Sequence, residues 1–204
     1  MKKKKMNKKM IIVEVIVVLV LLAVAAVFLM NGSKDASAAT DYVQIDIADY
    51  GTITAELYGN TAPVTVKNFM KLADEGFYDG LTFHRIISGF MIQGGDPLGN
   101  GMGGSGENIK GEFLLNGVKN DITHERGVLS MARSQLYDSA SSQFFIMHAD
   151  ADYLDGQYAA FGRVLSGMEV VDAICEKTPV TDGNGSVAAE NQPVITSIKR
   201  IEKP

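Results

Sequence analysis

From residue 41 onward the apolar positions come in short runs, and their spacing changes along the chain. In residues 42–47, Val43, Ile45 and Ile47 alternate with Tyr42, Gln44 and Asp46, and residues 52–57 alternate again beyond the turn-forming Asp49, Tyr50 and Gly51. Period-two alternation on both sides of a turn predicts a β-hairpin. The period then lengthens. Val66, Phe69, Met70 and Ala73 recur at i, i+3, i+4 and i+7, behind Pro63 and ahead of Gly76. That stripe predicts an amphipathic helix with the proline in its first turn and the glycine at its end. A second helix is predicted over residues 168–176, where Glu169 near the start and Lys177 at the end suit the helix dipole.

Further apolar runs, residues 82–87, 91–93, 128–131, 143–147, 161–164 and 194–201, are short and separated by glycine-containing stretches. Short strands with only two helices disfavour a repeating strand-helix fold. They predict a mainly β domain, an antiparallel sheet closed or sandwiched with the helices packed on its openings. Along 143–147, Phe144 and Ile146 face one way and read as core, while Gln143, Phe145 and Met147 face the other. The second face mixes an amide with large apolar groups, as does the Met91 and Gln93 face of the earlier strand. Two such faces suit a half-open pocket with few polar groups.

The first forty residues are different in kind. Lys2 to Lys5, Lys8 and Lys9 form a basic segment, 1–9, ahead of an apolar run, 10–30, interrupted only by Glu14. A helix of that length rises roughly 30 Å, enough to cross a bilayer. The lysines favour the cytoplasmic side, which places the rest of the chain outside. The run is longer than a signal-peptide core, so an uncleaved anchor in the cell membrane is expected. Cleavage after Ala38, in the small-residue stretch Ala36, Ser37, Ala38, is the alternative and would release a secreted protein. Residues 31–40 read as a linker and 41–204 as one folded domain.

Charge and cysteine narrow the classes. Residues 40–204 hold 12 basic and 22 acidic residues once the seven bases and two acids of residues 1–39 are set apart. An acidic domain with no basic stripe is a poor partner for nucleic acid. The single cysteine, Cys175, lies in the apolar-periodic stretch of the second helix and reads as a small packed hydrophobe.

Four possible motifs do not hold up in context. Residues 99–104 spell a GxGxxG, but loop-forming Ser105, Gly106, Glu107 and Asn108 follow where a dinucleotide site needs a helix. Residues 150–156 resemble a calcium loop, yet the glycine is one position late and Phe161 stands where the bidentate acid belongs. His84, His124 and His148 have no metal-ligand spacing, so no metal or cofactor is expected. Gly104, Ser105 and Gly106 lack the setting of a strained nucleophile.

Residues 83–97, Phe-His-Arg-Ile-Ile-Ser-Gly-Phe-Met-Ile-Gln-Gly-Gly-Asp-Pro, closely resemble the cyclophilin signature. The resemblance continues in order and spacing through Gly101 to Gly104, Gly127 to Ala132, Ser142 to Ile146 and Tyr153 to Gly156, and covers residues 41–202. It implies an eight-stranded antiparallel closed barrel capped by two α-helices, here preceded by one N-terminal hydrophobic helix. The implied function is peptidyl-prolyl cis-trans isomerisation of proline-containing polypeptides, and the N-terminal segment assigns it to the folding of extracytoplasmic proteins. Arg85 takes the catalytic role by resemblance. Phe90, Met91, Phe145 and Leu154 form the proline pocket, Gln93 and Gln143 place the substrate backbone, and Gly101, Ala132 and Arg133 line the groove for the residues before the proline. Three positions depart from well-known eukaryotic members: Tyr153 stands for a common tryptophan, Tyr158 for histidine and Arg133, which brings charge to the groove, for asparagine. Tyr153 and Tyr158 belong to the substrate site with the rest. A monomer is expected. A non-catalytic peptide-binding or chaperone module, or an interaction domain of a membrane assembly, is the alternative; a degenerate binder could afford to lose Arg85.

Overall fold

The computed structural model describes residues 39–204. The basic segment, the expected anchor at 10–30 and all but the last residues of the linker lie outside the described residues. Among those described, no helix is long and apolar enough to cross a membrane.

The expected hairpin forms between β1 (Asp41–Ile47) and β2 (Gly51–Leu57), in continuous register from Asp41 opposite Leu57 to Ile47 opposite Gly51. Its alternation is realised as burial: Val43, Ile45, Ile53, Ala55 and Leu57 are fully buried. The remaining strands are β3 (Thr82–Ile87), β4 (Met91–Asp96), β5 (Val128–Met131), β6 (Phe144–Met147), β7 (Ala160–Ser166) and β8 (Ile195–Ile201). All eight pair antiparallel in the order β3-β4-β6-β5-β7-β2-β1-β8.

The continuous closure implied by the resemblance is not what the edges do. β3 meets the approach to β8 at one isolated bridge, Thr82 to Val194, supported by hydrogen bonds from Phe83 N to Pro193 O and from Ile195 N to Leu81 O. The edges touch at a point instead of along a ladder, because the loop before β8 runs across β3 before the strand itself begins.

Two helices pack on this sheet, α1 (Pro63–Asp74) and α2 (Met168–Lys177). Helix α1 carries Pro63 in its first turn, as the sequence predicts, but Ala62 at its N-cap supplies no side-chain bond. The orphan N–H groups there are met from a distance. The Glu112 carboxylate, buried in the loop between β4 and β5, accepts from Val64 N at 3.0 Å and Thr65 N at 2.8 Å. A carboxylate at that end also suits the helix dipole.

The stripe Val66, Phe69, Met70 and Ala73 faces inward, and Phe69 sits among Tyr78, Phe144 and Phe161 at ring separations of 5.2, 5.3 and 5.1 Å. Cys175 is half-buried against this core; burial, then the nearby Asp172, pushes its thiol up to about 11, so it stays protonated.

Strand β4 is longer than its apolar pattern suggests, running through Gly94 and Gly95. Those glycines are close approaches within the strand. A Cβ on Gly94 would lie 2.7 Å from Thr82 O and 2.9 Å from the Phe83 ring. At the other end of the comparison, β6 begins at Phe144, which leaves Gln143 just outside it.

A two-cavity cleft on the outer face of the sheet

Pairing register decides which side chains meet. Arg85 on β3 lies opposite Gln93 on β4, Gln93 opposite Phe145 on β6, and Phe145 opposite Ser130 on β5. Directly paired residues share a face, so this row of four crosses the outer side of the sheet. The next row brings Ile87, Met91 and Met147 together. Phe144 and Ile146 point the other way, into the central core. The period-two reading of residues 143–147 therefore holds.

On the outer face Met91, Phe145, Met147 and Leu154 form a second apolar cluster, with Phe90, Ala132 and Tyr158 packed at its margin. This cluster is not sealed. A cavity of about 330 Å³ opens over it, lined by Arg85, Phe90, Met91, Gln93, Ala132, Arg133, Phe145, Tyr153, Leu154 and Tyr158. A second cavity of about 440 Å³ adjoins it, sharing Gln93, Ala132 and Arg133 and adding Gln143 and the loop Gly101, Met102, Gly103 and Gly104. Every site residue named from the sequence lines one or both cavities.

Arg85 is held from behind. Its Nε donates to Asn184 O at 2.9 Å, Nη2 to Asn184 Oδ1 at 3.1 Å and Nη1 to Gln93 Oε1 at 3.3 Å. Three of the five N–H donors of a guanidinium are thereby engaged, which leaves one on each terminal nitrogen. Burial pulls its pKa below the ordinary arginine value, with Tyr158, Asp182 and Tyr153 acting the other way. An arginine so placed still keeps its charge at neutral pH. The contacts continue along the cleft: Gln93 Nε2 lies 2.8 Å from Gln143 Oε1, and Gln143 Nε2 lies 2.8 Å from Gly103 O.

The wall formed by Phe145 is braced on its hidden side. The ring of His124, fully buried, stacks on Phe145 at 6.1 Å and 19°. His124 Nδ1 is 2.8 Å from Asp155 Oδ1, and Nε2 is 3.0 Å from Ser130 Oγ. A carboxylate can only accept, so Nδ1 carries the proton and Nε2 accepts from the Ser130 hydroxyl. Burial lowers the His124 pKa, and the Asp155 hydrogen bond and charge only partly offset that. The arrangement has the members of a nucleophilic triad, but Ser130 is fully buried under the side chains of the outer face, so it braces and does not attack. His84 is also buried, and burial lowers its pKa; neither of its ring nitrogens has a hydrogen-bond partner.

The second cavity is shaped by Asp96 at the end of β4. Its carboxylate accepts from the N–H groups of Leu98, Asn100 and Gly101 at 2.8, 3.0 and 2.6 Å. Burial pushes this carboxyl up, but those bonds and that of Gly103 overcome it and hold it below the ordinary range. Gly101 adopts φ +88°, a left-handed conformation for which glycine is the natural residue. The GxGxxG stretch is thus a cavity wall curled around a carboxylate, with no helix behind it.

Several residues that shape the cleft were given no site role from the sequence. Asn184 anchors Arg85 from the loop after α2, and Met102, Gly103 and Ser141 complete the second cavity. Asp182, Gly183, Asn184 and Gly185 do signal a turn, but nothing local says that the turn reaches β3.

The family described as cyclophilin type peptidyl-prolyl cis-trans isomerase/CLD matches residues 42–200. Peptidyl-prolyl cis-trans isomerase B of Bacillus subtilis is 53% identical over 123 residues, 60% of this chain and 82% of that protein. The peptidyl-prolyl cis-trans isomerase of Helicobacter pylori is 45% identical over 139 residues, 67% of this chain and 82% of that one. Among solved structures, a Cryptosporidium parvum cyclophilin-type isomerase superposes with TM-score 0.70 at 32% identity, covering 80% of this chain and 99% of the other. The same parasite protein solved in the presence of the dipeptide Ala-Pro gives TM-score 0.69, also at 32% identity, over 79% of this chain.

Proposed function

Because the chain belongs to the cyclophilin-type peptidyl-prolyl cis-trans isomerases, and so is an isomerase of X-Pro bonds, we propose that Arg85 lowers the rotational barrier and that the domain works outside the cytoplasm.

The chemistry to be done is rotation. Amide resonance opposes it with a barrier of roughly 18–20 kcal/mol, while the cis and trans forms of an X-Pro bond differ by only about 1 kcal/mol. Uncatalysed exchange therefore takes tens of seconds. No nucleophile is required. At the top of the barrier resonance is lost and the prolyl nitrogen becomes pyramidal, gaining a lone pair that can accept a hydrogen bond. A donor aimed at that nitrogen acts only when the bond is twisted, so it lowers the barrier instead of tightening the ground state.

The observation that carries this reading is the fixed guanidinium of Arg85 on the wall of the apolar cavity, tethered by Asn184 and Gln93 and keeping two N–H groups. Phe90, Met91, Phe145 and Leu154 would hold the proline ring beside it. Gln93 and Gln143 would hold the backbone, and Gly101, Ala132 and Arg133 would receive the residues before the proline. Tyr153, whose ring lies 5.9 Å from that of Phe90, and Tyr158 would close the far side. Nothing in this scheme asks for a second subunit, since one chain lines the whole cleft.

The test is an isomerisation assay by NMR exchange on a blocked Ala-Ala-Pro-Phe peptide, using the full chain and its Arg85→Ala variant. Removing one preorganised donor from a developing charge typically costs about 2–4 kcal/mol, so kcat/KM should fall roughly 30- to 1,000-fold. Arg85→Lys should rescue little, because a mobile point charge cannot keep the tethered geometry. Equal activity in the three proteins would remove Arg85 from the mechanism.

The extracytoplasmic role rests on the basic segment 1–9 and the apolar run 10–30. Protease added to intact cells should digest the isomerase domain if the anchor is retained, and N-terminal sequencing of the mature protein distinguishes an anchored chain from one cut after Ala38.

A further inference from the structure

Five arginines lie among the described residues, and their counter-ions divide them. Arg126 holds Asp172 at 2.7 Å, Arg163 holds Glu125 at 2.9 Å, and Arg200 pairs with Asp41 and Asp74. Among the described residues no carboxylate oxygen comes within 4.0 Å of either Arg85 or Arg133. These are the two arginines that line the cleft. Acids outnumber bases 22 to 12 in residues 40–204, yet neither cleft cation holds one at contact distance, and Asp182 acts on Arg85 only from farther off.

An unpaired arginine on an open surface would mean little, since solvent screens it. Arg133 is not placed that way. Its Nε and Nη2 donate to Gln157 O at 3.0 and 2.8 Å, and Nη1 donates to Ser134 O at 2.8 Å. The guanidinium carbon stands 4.5 Å from the ring centroid of Tyr158, 5.0 Å from that of Phe113 and 5.2 Å from that of Tyr137. Carbonyls and ring faces fix a cation in place without cancelling its charge. One N–H on Nη1 and one on Nη2 are left over.

The position matters as much as the charge. Arg133 is shared by the two cavities, with Gln93 and Ala132. A chain whose proline fills the Phe145 slot and whose preceding residues lie along Gly101 to Gly104 must pass Arg133 at the junction. On that path the residue just before the proline would sit at the junction. The other side chains at that junction are Gln93 and Ala132, which carry no charge. The second cavity adds Ser134, Ser139 and Ser141, also uncharged.

Resting on the isomerase reading above, we infer that Arg133 sets substrate preference, selecting segments in which Asp or Glu immediately precedes the proline. The incoming carboxylate completes an ion pair that the fold leaves open. The same pair of cations, Arg85 and Arg133, disfavours Lys or Arg at that place.

The test compares kcat/KM for blocked Ala-Glu-Pro-Phe, Ala-Ala-Pro-Phe and Ala-Lys-Pro-Phe by NMR exchange, with the full chain and three variants. In the wild-type chain Glu-Pro should be favoured over Ala-Pro about fivefold, with Lys-Pro lowest, the size expected for one partly exposed ion pair. Arg133→Gln should bring the Glu-to-Ala ratio within about twofold of one, Arg133→Lys should keep most of it, and Arg133→Glu should reverse the order of Glu and Lys. The wild-type preference should shrink in 1 M salt. Each ratio is taken within one protein, so partial misfolding of a variant cancels out. An unchanged ratio in Arg133→Gln would overturn the inference while leaving the isomerase reading intact. A wild-type chain inert toward all three peptides would overturn the isomerase reading, and this one with it.

Discussion

Strand β6 separates two apolar regions that differ in one respect. Phe144 and Ile146 enter a core sealed by α1, where Phe144 meets Phe69, Tyr78 and Phe83 at ring separations of 5.3, 5.7 and 6.0 Å. Phe145 and Met147 enter a cluster that is nearly as well buried yet borders a cavity of about 330 Å³. In the core, rings of one side chain hold those of another. On the outer face Phe145 meets the Tyr158 ring at 6.0 Å and is backed by the ring of His124, itself fixed by Asp155 and Ser130, so the wall keeps its shape without a ligand to pack against. A binding face built from greasy residues needs support from behind, because nothing fills it from the front.

The largest expected effect tests the sealed side. Phe144→Ala should cost about 3–5 kcal/mol of stability, measured by urea denaturation, because the space cannot collapse between three neighbouring rings. Phe145→Ala should cost only about 1.5 kcal/mol, since it enlarges a space already open to water, while lowering kcat/KM about tenfold or more. If the two substitutions destabilise equally, the distinction between the faces fails. The Arg85→Ala comparison belongs next in size, and it should leave the denaturation midpoint much nearer wild type than Phe144→Ala does.

Acid should strain the fold through its two buried histidines. His84 and His124 have folded pKa values lowered from 6.5, chiefly by burial. The unfolded chain therefore binds more protons below about pH 6.5, and stability falls as pH drops from there toward the folded values. The loss is about 1.4 kcal/mol per pH unit for each additional proton taken up on unfolding. Thermal midpoints should be flat between pH 7 and 8 and decline from 6.5 to 5. A midpoint that rises on acidification would contradict the burial argument. The smallest effect concerns the far support of α1: Glu112→Gln should cost about 0.5–2 kcal/mol, the range for losing a helix cap.

The sealed region was the easier to read from sequence. Its residues obey a period, so Val66, Phe69, Met70 and Ala73 announced a helix face and Val43, Ile45 and Ile47 a strand face. The mixed faces of Met91 with Gln93 and of Gln143 with Phe145 and Met147 announced an open pocket for the same reason. Identity of the roles came from resemblance to a family, not from the period. What stayed hidden depends on contacts between distant segments. Gly94 and Gly95 look like a turn, yet they continue β4 where Phe83 and Ser142 crowd it. Glu112 gives no local sign that it caps a helix 47 positions earlier. Asn184 lies 99 positions from the arginine it tethers. His124, Asp155 and Ser130 come together only after β5 and the turn at Asp152–Leu154 are in place.

The chain of contacts running from Arg85 to Gly103 has a fixed polarity. A guanidinium can only donate, so Gln93 must turn its oxygen toward Arg85 and its nitrogen toward Gln143, and Gln143 in turn must send its own nitrogen to the Gly103 carbonyl. Two amides that would otherwise be free to flip are thus written in one direction, by a cation at one end and a backbone carbonyl at the other. A neutral acceptor at position 85 would leave the Gly103 carbonyl to hold that direction alone, with the Gln93 oxygen turned toward a group that cannot donate to it.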